Sequence, residues 1–413
     1  MSANVESSAM PNPKKFLVGG LICLAICVIG FFVPGQERIA AYSYLIGLIF
    51  TSSITIGMLF LVMIHHIFDA EWSVIVRRQA ENFLAVVPWL GVMFIPLLLV
   101  TYLKDQGTLW TWMNDAAELG HGHGTVADDI LYQKKTWWLN EPFFWIRAAL
   151  CFGVWIFFAR SFRKNSFTQD ADGSPEHTKS SRKLAAGGLF AVAFTWTCAG
   201  FDWIMGLEYH WFSTMFGVWI FANAMRAALA VLVLVSIYLV AKGPLKGIFN
   251  TKHLHDLSTL CFAFTVFWAY ISFSQYFLIW NGNIPEETFW FNFREEGAWW
   301  YVSMVLVFGH FLFPFLFLLQ WPLKTSHKAM TFMASWILCM QLLDVFFNVL
   351  PSLKDHHGHV FQMFGSPVNF VWYITGVLGG IGVLLWAYWS SFRQTKIIPI
   401  RDPRIADCLN HNH

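Results

Sequence analysis

Residues 41–66 read AYSYLIGLIFTSSITIGMLFLVMIHH, with no Asp, Glu, Lys or Arg among them. A helix of about 20 apolar residues, rising 1.5 Å each, spans the hydrocarbon of a bilayer. Runs of that kind recur along almost the whole chain, at about 16–33, 40–66, 83–103, 143–162, 184–206, 212–240, 257–280, 297–320, 328–350 and 367–392. The stretch therefore reads as the second of ten spans, and the chain as an all-α integral membrane protein. A polar tail, residues 1–15, precedes a ten-span domain over 16–392, and a second tail covers 393–413. No small-residue cleavage site follows the first apolar run, so it reads as a retained span.

Composition agrees. The 413 residues are 56% hydrophobic and 13% charged, with a mean hydropathy of +0.51, against about a quarter charged for soluble chains. Aromatics make up 18%, suited to lipid and its headgroup belts. A soluble enzyme, a nucleic-acid binder and a disordered chain are excluded. Seven cysteines stand singly without Cys-x-x-Cys spacing, and all but Cys408 lie in apolar runs. They read as small buried hydrophobes, leaving no ligand pattern for covalent haem, iron–sulfur clusters or zinc.

Pro34, Pro142, Pro285, Pro322, Pro351 and Pro367 fall at span boundaries, where helices start or stop; Pro88, Pro96 and Pro314 lie inside spans and predict kinks. With ten spans both termini share a side. That side holds 19 of the 27 Lys and Arg, including Arg77 and Arg78, while Arg38, Lys104, Arg294 and Lys354 belong to the other. The positive-inside rule then places both termini in the cytoplasm. Acids show the reverse bias, and the outer loops, chiefly 103–142 and 281–297, are the expected contact surface for extracytoplasmic partners.

Spans 5 and 9 carry Phe201-Asp202-Trp203-Ile204 and Leu343-Asp344-Val345-Phe346 near the same end, and spans 4 and 8 carry Phe152-Gly153 and Phe308-Gly309. Four helices separate each pair. That spacing predicts two parallel four-helix bundles, spans 2–5 (about 40–206) and spans 6–9 (about 212–350), with spans 1 and 10 peripheral.

Ionisable groups at depth cost roughly 2.5–3.5 kcal/mol each on insertion scales and mark function by default. Arg147, Asp202, Arg226, His310 and Asp344 are the candidates. Two acids and two arginines can pair as structural locks. Alternatively, with Gln275, Gln341, Asn223, Ser272 and Ser274, they can conduct protons or line a quinone site, because quinol oxidation also needs a proton acceptor. His65 and His66 close span 2 at its cytoplasmic end as a candidate proton entry. His65 and His310 differ in depth by roughly 18 Å, too far to share a haem. His121-Gly122-His123-Gly124 with Asp128-Asp129, and His356-His357-Gly358-His359, have metal-ligand residue types but no fixed helical spacing, and read as solvated loops rather than a metal site.

Several stretches resemble one family. His255-Asp256-Leu257, Phe267-Trp268-Ala269-Tyr270-Ile271-Ser272-Phe273-Ser274-Gln275-Tyr276-Phe277-Leu278-Ile279-Trp280 and Gly282-Asn283-Ile284-Pro285-Glu286-Glu287 are similar to the F subunit of alternative complex III, within the NrfD-like membrane subunits. Trp72-Ser73-Val74-Ile75-Val76-Arg77-Arg78, Leu139-Asn140-Glu141-Pro142, Asp202-Trp203 with His210-Trp211-Phe212-Ser213-Thr214, and Gly309-His310-Phe311 extend the resemblance from span 2 to span 8. The resemblance implies an inner-membrane subunit of a bacterial quinol:cytochrome c oxidoreductase, built as two four-helix bundles. It implies no redox cofactor on this chain, with haems and clusters in multihaem cytochrome and iron–sulfur partners beside a C-type paralogue. Quinone (menaquinone or ubiquinone) and lipid are the ligands it allows. A proton path with structural support is the preferred role; the quinol-oxidising C-type subunit and an independent ion or solute transporter are the alternatives.

Overall fold

The computed structural model describes residues 10–103, 107–118, 124–354 and 360–411. Ten helices are long and apolar enough to cross a membrane: α1 (Pro13–Gly30), α2 (Glu37–Ile67), α3 (Glu71–Leu103), α4 (Glu141–Asp172), α5 (Glu176–Glu208), α6 (Phe216–Lys242), α7 (Thr251–Gly282), α8 (Ala298–Leu319), α9 (His327–Ser352) and α10 (Asn369–Gln394). They coincide with the ten predicted spans, and the described residues contain no strand. The protein is an all-α, multi-pass membrane protein.

α2 is buried along its whole apolar length, which explains its composition. A central helix meets other helices rather than lipid, so small and hydroxyl-bearing residues serve it. Thr51 and Thr55 donate to the carbonyls of Gly47 and Thr51 (both 2.8 Å), so their hydroxyls are satisfied within the helix. Gly57 lies against α6, where a Cβ would fall 2.1 Å from the Ala224 carbonyl oxygen. Only glycine lets the two backbones meet there.

Packing follows the predicted repeat. α2 touches α3 and α5, and α4 touches both α3 and α5; in the second set α6 touches α7 and α9, and α8 touches both α7 and α9. The bundles meet through α2 on α6, α5 on α6, α9 on α2 and the first part of α3 on α6. Exchanging the bundles carries the second of these contacts into the third and the first into itself, as a two-fold axis along the membrane normal requires, while the fourth departs from that symmetry. α10 covers α2, and α1 lies on α10.

Three features go beyond the sequence reading. The segment between spans 4 and 5 is helical: α4 runs on to Asp172, Gly173 caps it in the left-handed conformation (φ 71°), and the next helix begins at Glu176. Arg77 and Arg78, expected as flanking surface charges, are buried, with Glu81, on a helical turn of α3. Arg78 pairs with Asp170 (2.6 Å) and Arg77 with Asp402, so this polar turn is neutralised by α4 and by the C-terminal tail. Arg294, assigned to the outer loop at 281–297, is also buried. As for the prolines, Pro88 stands just after a 3₁₀ turn over Leu84–Val86, and Pro314 follows a π-helical turn over Leu306–Leu312.

Both chain ends lie on one face. Arg393 donates to the Met10 carbonyl (3.1 Å), and the tail after α10 crosses from the α3–α4 end, through Asp402–Arg77 and Arg404–Asp69, to α7, where His411 meets Asp256 (2.7 Å). This is the terminal face; the loops after α5 and α9 lie on the opposite face.

Candidate functional site

The two bundles treat their corresponding acids differently. Asp202, at the end of α5, is held by Arg147 of α4 in a two-pronged pair (Nε–Oδ2 2.7 Å, Nη2–Oδ1 2.9 Å). Trp138 Nε1 donates to the same carboxylate (2.9 Å), the third guanidinium nitrogen donates to the Trp138 carbonyl (2.9 Å), and the guanidinium lies over the Trp138 and Phe143 rings. Every strong donor and acceptor is used, as a fixed buried pair demands. This acid joins α4 to α5 and to the segment before α4.

Asp344 of α9 has no such partner. Its Oδ2 accepts from Asn223 Nδ2 of α6 (2.6 Å) and from Asn348 Nδ2 (3.3 Å), and its Oδ1 is buried with no protein partner. A neutral amide cannot balance a carboxylate's charge as a guanidinium does. Asn223 and Arg226 lie three residues apart on α6, on one face, but Arg226 turns to α8 and donates to the His310 carbonyl. The sequence explains that acceptor. In an α-helix the His310 carbonyl would receive the N–H of residue 314, and Pro314 has none. The resulting π turn leaves a carbonyl for the arginine.

A cavity of about 20 Å³ opens beside Asp344, bounded also by Asn223, Gln341, Asn348, Ser53 and Ile49. One water needs roughly 10–15 Å³, so the space suits water and is far too small for a quinone ring. Both side-chain polar atoms of Gln341, Oδ1 of Asn223, Oδ1 of Asn348, Nε and Nη1 of Arg226 and both ring nitrogens of His310 are buried without protein partners. Ser272 Oγ and Gln275 Nε2 on α7 are in the same condition, although Gln275 Oε1 accepts from Ser213 (2.8 Å). All four helices of the second bundle thus turn polar atoms inward without pairing them. At about 1–3 kcal/mol for each unsatisfied group, water in the adjacent space would offset part of that cost.

Of the predicted residues, the structure brings together Arg147 with Asp202, Arg226 with His310, and Asp344 with Asn223 and Gln341. Gln275 stands nearer the opposite face. His65 and His66 lie at the other end of α2; both are buried, His65 beside Trp72 and His66 stacked on Phe162. Among the described residues no group of three or more His, Cys, Asp or Glu side chains is arranged to hold a metal ion. His121, His123, His356, His357 and His359, with Lys104, lie outside the described residues.

Two participants escape sequence reading. Asn348, one turn after Asp344, shares its carboxylate, and its i,i+4 spacing is the signal that could have found it. Arg294 stacks on Trp290 (3.2 Å to the ring centre) and donates to the carbonyls of Trp290 (2.7 Å), Phe347 (2.9 Å) and Asn348 (3.1 Å). Its guanidinium is held close to the Asp344 site by backbone carbonyls and aromatic rings, with no carboxylate in contact. Compared with known proteins, the chain matches no family model and no curated protein.

Proposed function

We propose that the second bundle carries a proton path centred on Asp344, and that the protein serves as a membrane subunit of a bacterial quinol:electron-acceptor oxidoreductase of the alternative complex III type. The assignment to that complex rests on the sequence resemblance. The proton role rests on one observation: Asp344 has a free carboxylate oxygen at a water-sized cavity, whereas Asp202, its counterpart in the first bundle, is locked by Arg147. A carboxylate that changes charge must have no fixed counter-cation in contact and must reach water. Asp344 has no cation in contact, and the space beside it has room for water. Arg226, held by the π turn, places a permanent positive charge on the far side of Asn223 and opposes free passage of cations, so the carboxylate can be loaded and emptied without a continuous leak. His310 offers two unpaired ring nitrogens beyond it, and His65 and His66 remain the candidate entry from the terminal face. The cavity's size argues against quinone at Asp344 and leaves lipid-facing sites as the alternative. In this reading the haems and clusters belong to partner subunits, and the membrane is the bacterial inner membrane with both termini cytoplasmic.

Purification in mild detergent tests the assignment: the chain should come out with multihaem and iron–sulfur polypeptides, whereas recovery as a lone, transport-active protein would support the transporter reading. In the assembled complex, Asp344→Asn should lower proton release per electron while quinol oxidation continues. Unchanged proton release would refute the path, and loss of quinol oxidation with intact assembly would favour a quinone site.

A further inference from the structure

At the opposite face lies a second ionisable cluster, outside the apolar runs. His210 Nε2 meets Asp129 Oδ2 (2.6 Å) and His210 Nδ1 meets Glu208 Oε1 (3.1 Å), so one imidazole bridges two carboxylates. Tyr209 donates its hydroxyl to the same Asp129 oxygen (2.8 Å), and Lys354 pairs with Glu208 Oε2 (2.7 Å). Lys135 is tied to the Tyr209 carbonyl (2.6 Å), and Tyr132, packed on Tyr209, donates to Asp115 (3.1 Å). The imidazole is about a third exposed and Glu208 nearly buried, so the cluster reaches from water into the protein.

It also reaches the Asp344 site. Glu208 follows by four residues Ile204, which bounds the Asp344 cavity. Lys354, paired with Glu208, lies over the ring of Phe293 (4.6 Å), and the next residue, Arg294, is bonded to the carbonyl of Asn348, whose side-chain amide donates to Asp344. A negative charge on either the inner acid or the surface cluster raises the proton affinity of the other directly, and the fixed positive charge of Arg294 lowers both. The charged groups around Glu208 are Lys354, His210, Lys135 and Arg294, with Arg38 acting on the neighbouring Tyr42 as Glu208 does.

We propose that Asp129, His210 and Glu208 form a proton-exchange port on the opposite face, coupled electrostatically to Asp344; this rests on the reading of Asp344 as a proton carrier. When Asp344 takes up a proton its negative charge disappears, and with it the attraction that charge exerts on protons at the port, so the port's proton affinity falls. A proton then leaves His210 for water. When Asp344 gives up its proton the port reloads. Proton number is conserved at each step: one onto Asp344, one off the port.

The test is infrared titration of the full-length protein in lipid vesicles, following the carboxyl C=O band that Asp344→Asn removes. Glu208→Gln deletes an anion and should lower the Asp344 midpoint, by about half a pH unit or more. His210→Gln deletes a cation and should raise it. Opposite shifts are expected, because damage to packing would not change sign with the charge removed. If Glu208→Gln does not fold, the upward shift in His210→Gln decides alone. Unmoved midpoints in the folded variants would overturn the port and leave the Asp344 reading standing; absence of any titrating Asp344 band would overturn that reading first.

Discussion

Asp202 and Asp344 sit in corresponding helices, and a single neighbour separates their chemistry: an arginine for one, an asparagine for the other. Removing Arg147 as Arg147→Met would leave a buried, uncompensated carboxylate, and breaking such pairs costs about 3–5 kcal/mol. Thermal unfolding in detergent should show a large loss for Arg147→Met and a clearly smaller one for Arg147→Met/Asp202→Leu, which removes both charges. Asp344→Asn keeps the shape and a hydrogen-bonding partner for Asn223, so its stability should stay within about 1 kcal/mol of the parent protein. The port carries a pH signature. Burial works against the His210 charge, but Glu208 and then Asp129 outweigh it and raise its pKa above the ordinary 6.5. A raised folded value stabilises below the unfolded pKa, and that stabilisation is lost as pH rises through the folded value. For Asp129, burial raises the pKa, but the Tyr209 and Leu131 hydrogen bonds and His210 bring it below the ordinary 3.8. Its contribution is therefore present above the ordinary value and lost only in stronger acid. The melting temperature should fall from mildly acidic to mildly alkaline pH, and His210→Gln should flatten that slope. Arg147, Asp202, Arg226, His310 and Asp344 were legible because apolar residues flank each in sequence. Arg294, Glu208 and Arg77 were not, since they lie outside the apolar runs and only tertiary packing buries them.

Among the elements, α2 and α6 carry the architecture, and their crossing at Gly57 sets how closely the bundles approach beside the cavity. Gly57→Ala would push a methyl into the Ala224 carbonyl, and overpacking of this kind costs about 1–3 kcal/mol. A lowered melting temperature should accompany altered access to Asp344; an unchanged protein would show that the crossing is not tight. Hydropathy located every span, because lipid rewards the same residues on each helix. It could not reveal that α4 and α5 continue past the membrane: residues 163–183 are polar, and a helix in water is decided by caps such as Gly173 and by pairs such as Arg78–Asp170. Nor could it reveal the π turn at His310. Pro314 announced a break, but the arginine that takes the freed carbonyl belongs to another helix.

For the whole molecule, the even span count puts both ends on one face, and the excess of Lys and Arg there predicts a cytoplasmic location. Cysteines introduced as Asp172→Cys on the terminal face and Lys134→Cys on the opposite face should label differently in intact cells. A membrane-impermeant thiol reagent should reach Lys134→Cys from outside and Asp172→Cys only after permeabilisation; the reverse pattern would invert the proposed direction of the path. The pairing of the bundles was legible from the Asp-aromatic matches on spans 5 and 9, and the contacts bear it out. What the matches concealed is that the copies have diverged, one closed by an ion pair and the other left with a row of unpaired polar groups around water-sized space. That divergence is the centre of the account, and pH-dependent infrared difference spectra of the parent protein, Asp344→Asn and Asp202→Asn test it most directly. A carboxyl band that titrates, vanishes in Asp344→Asn and survives in Asp202→Asn is the predicted result; a band that survives in Asp344→Asn, or none at all, would contradict it.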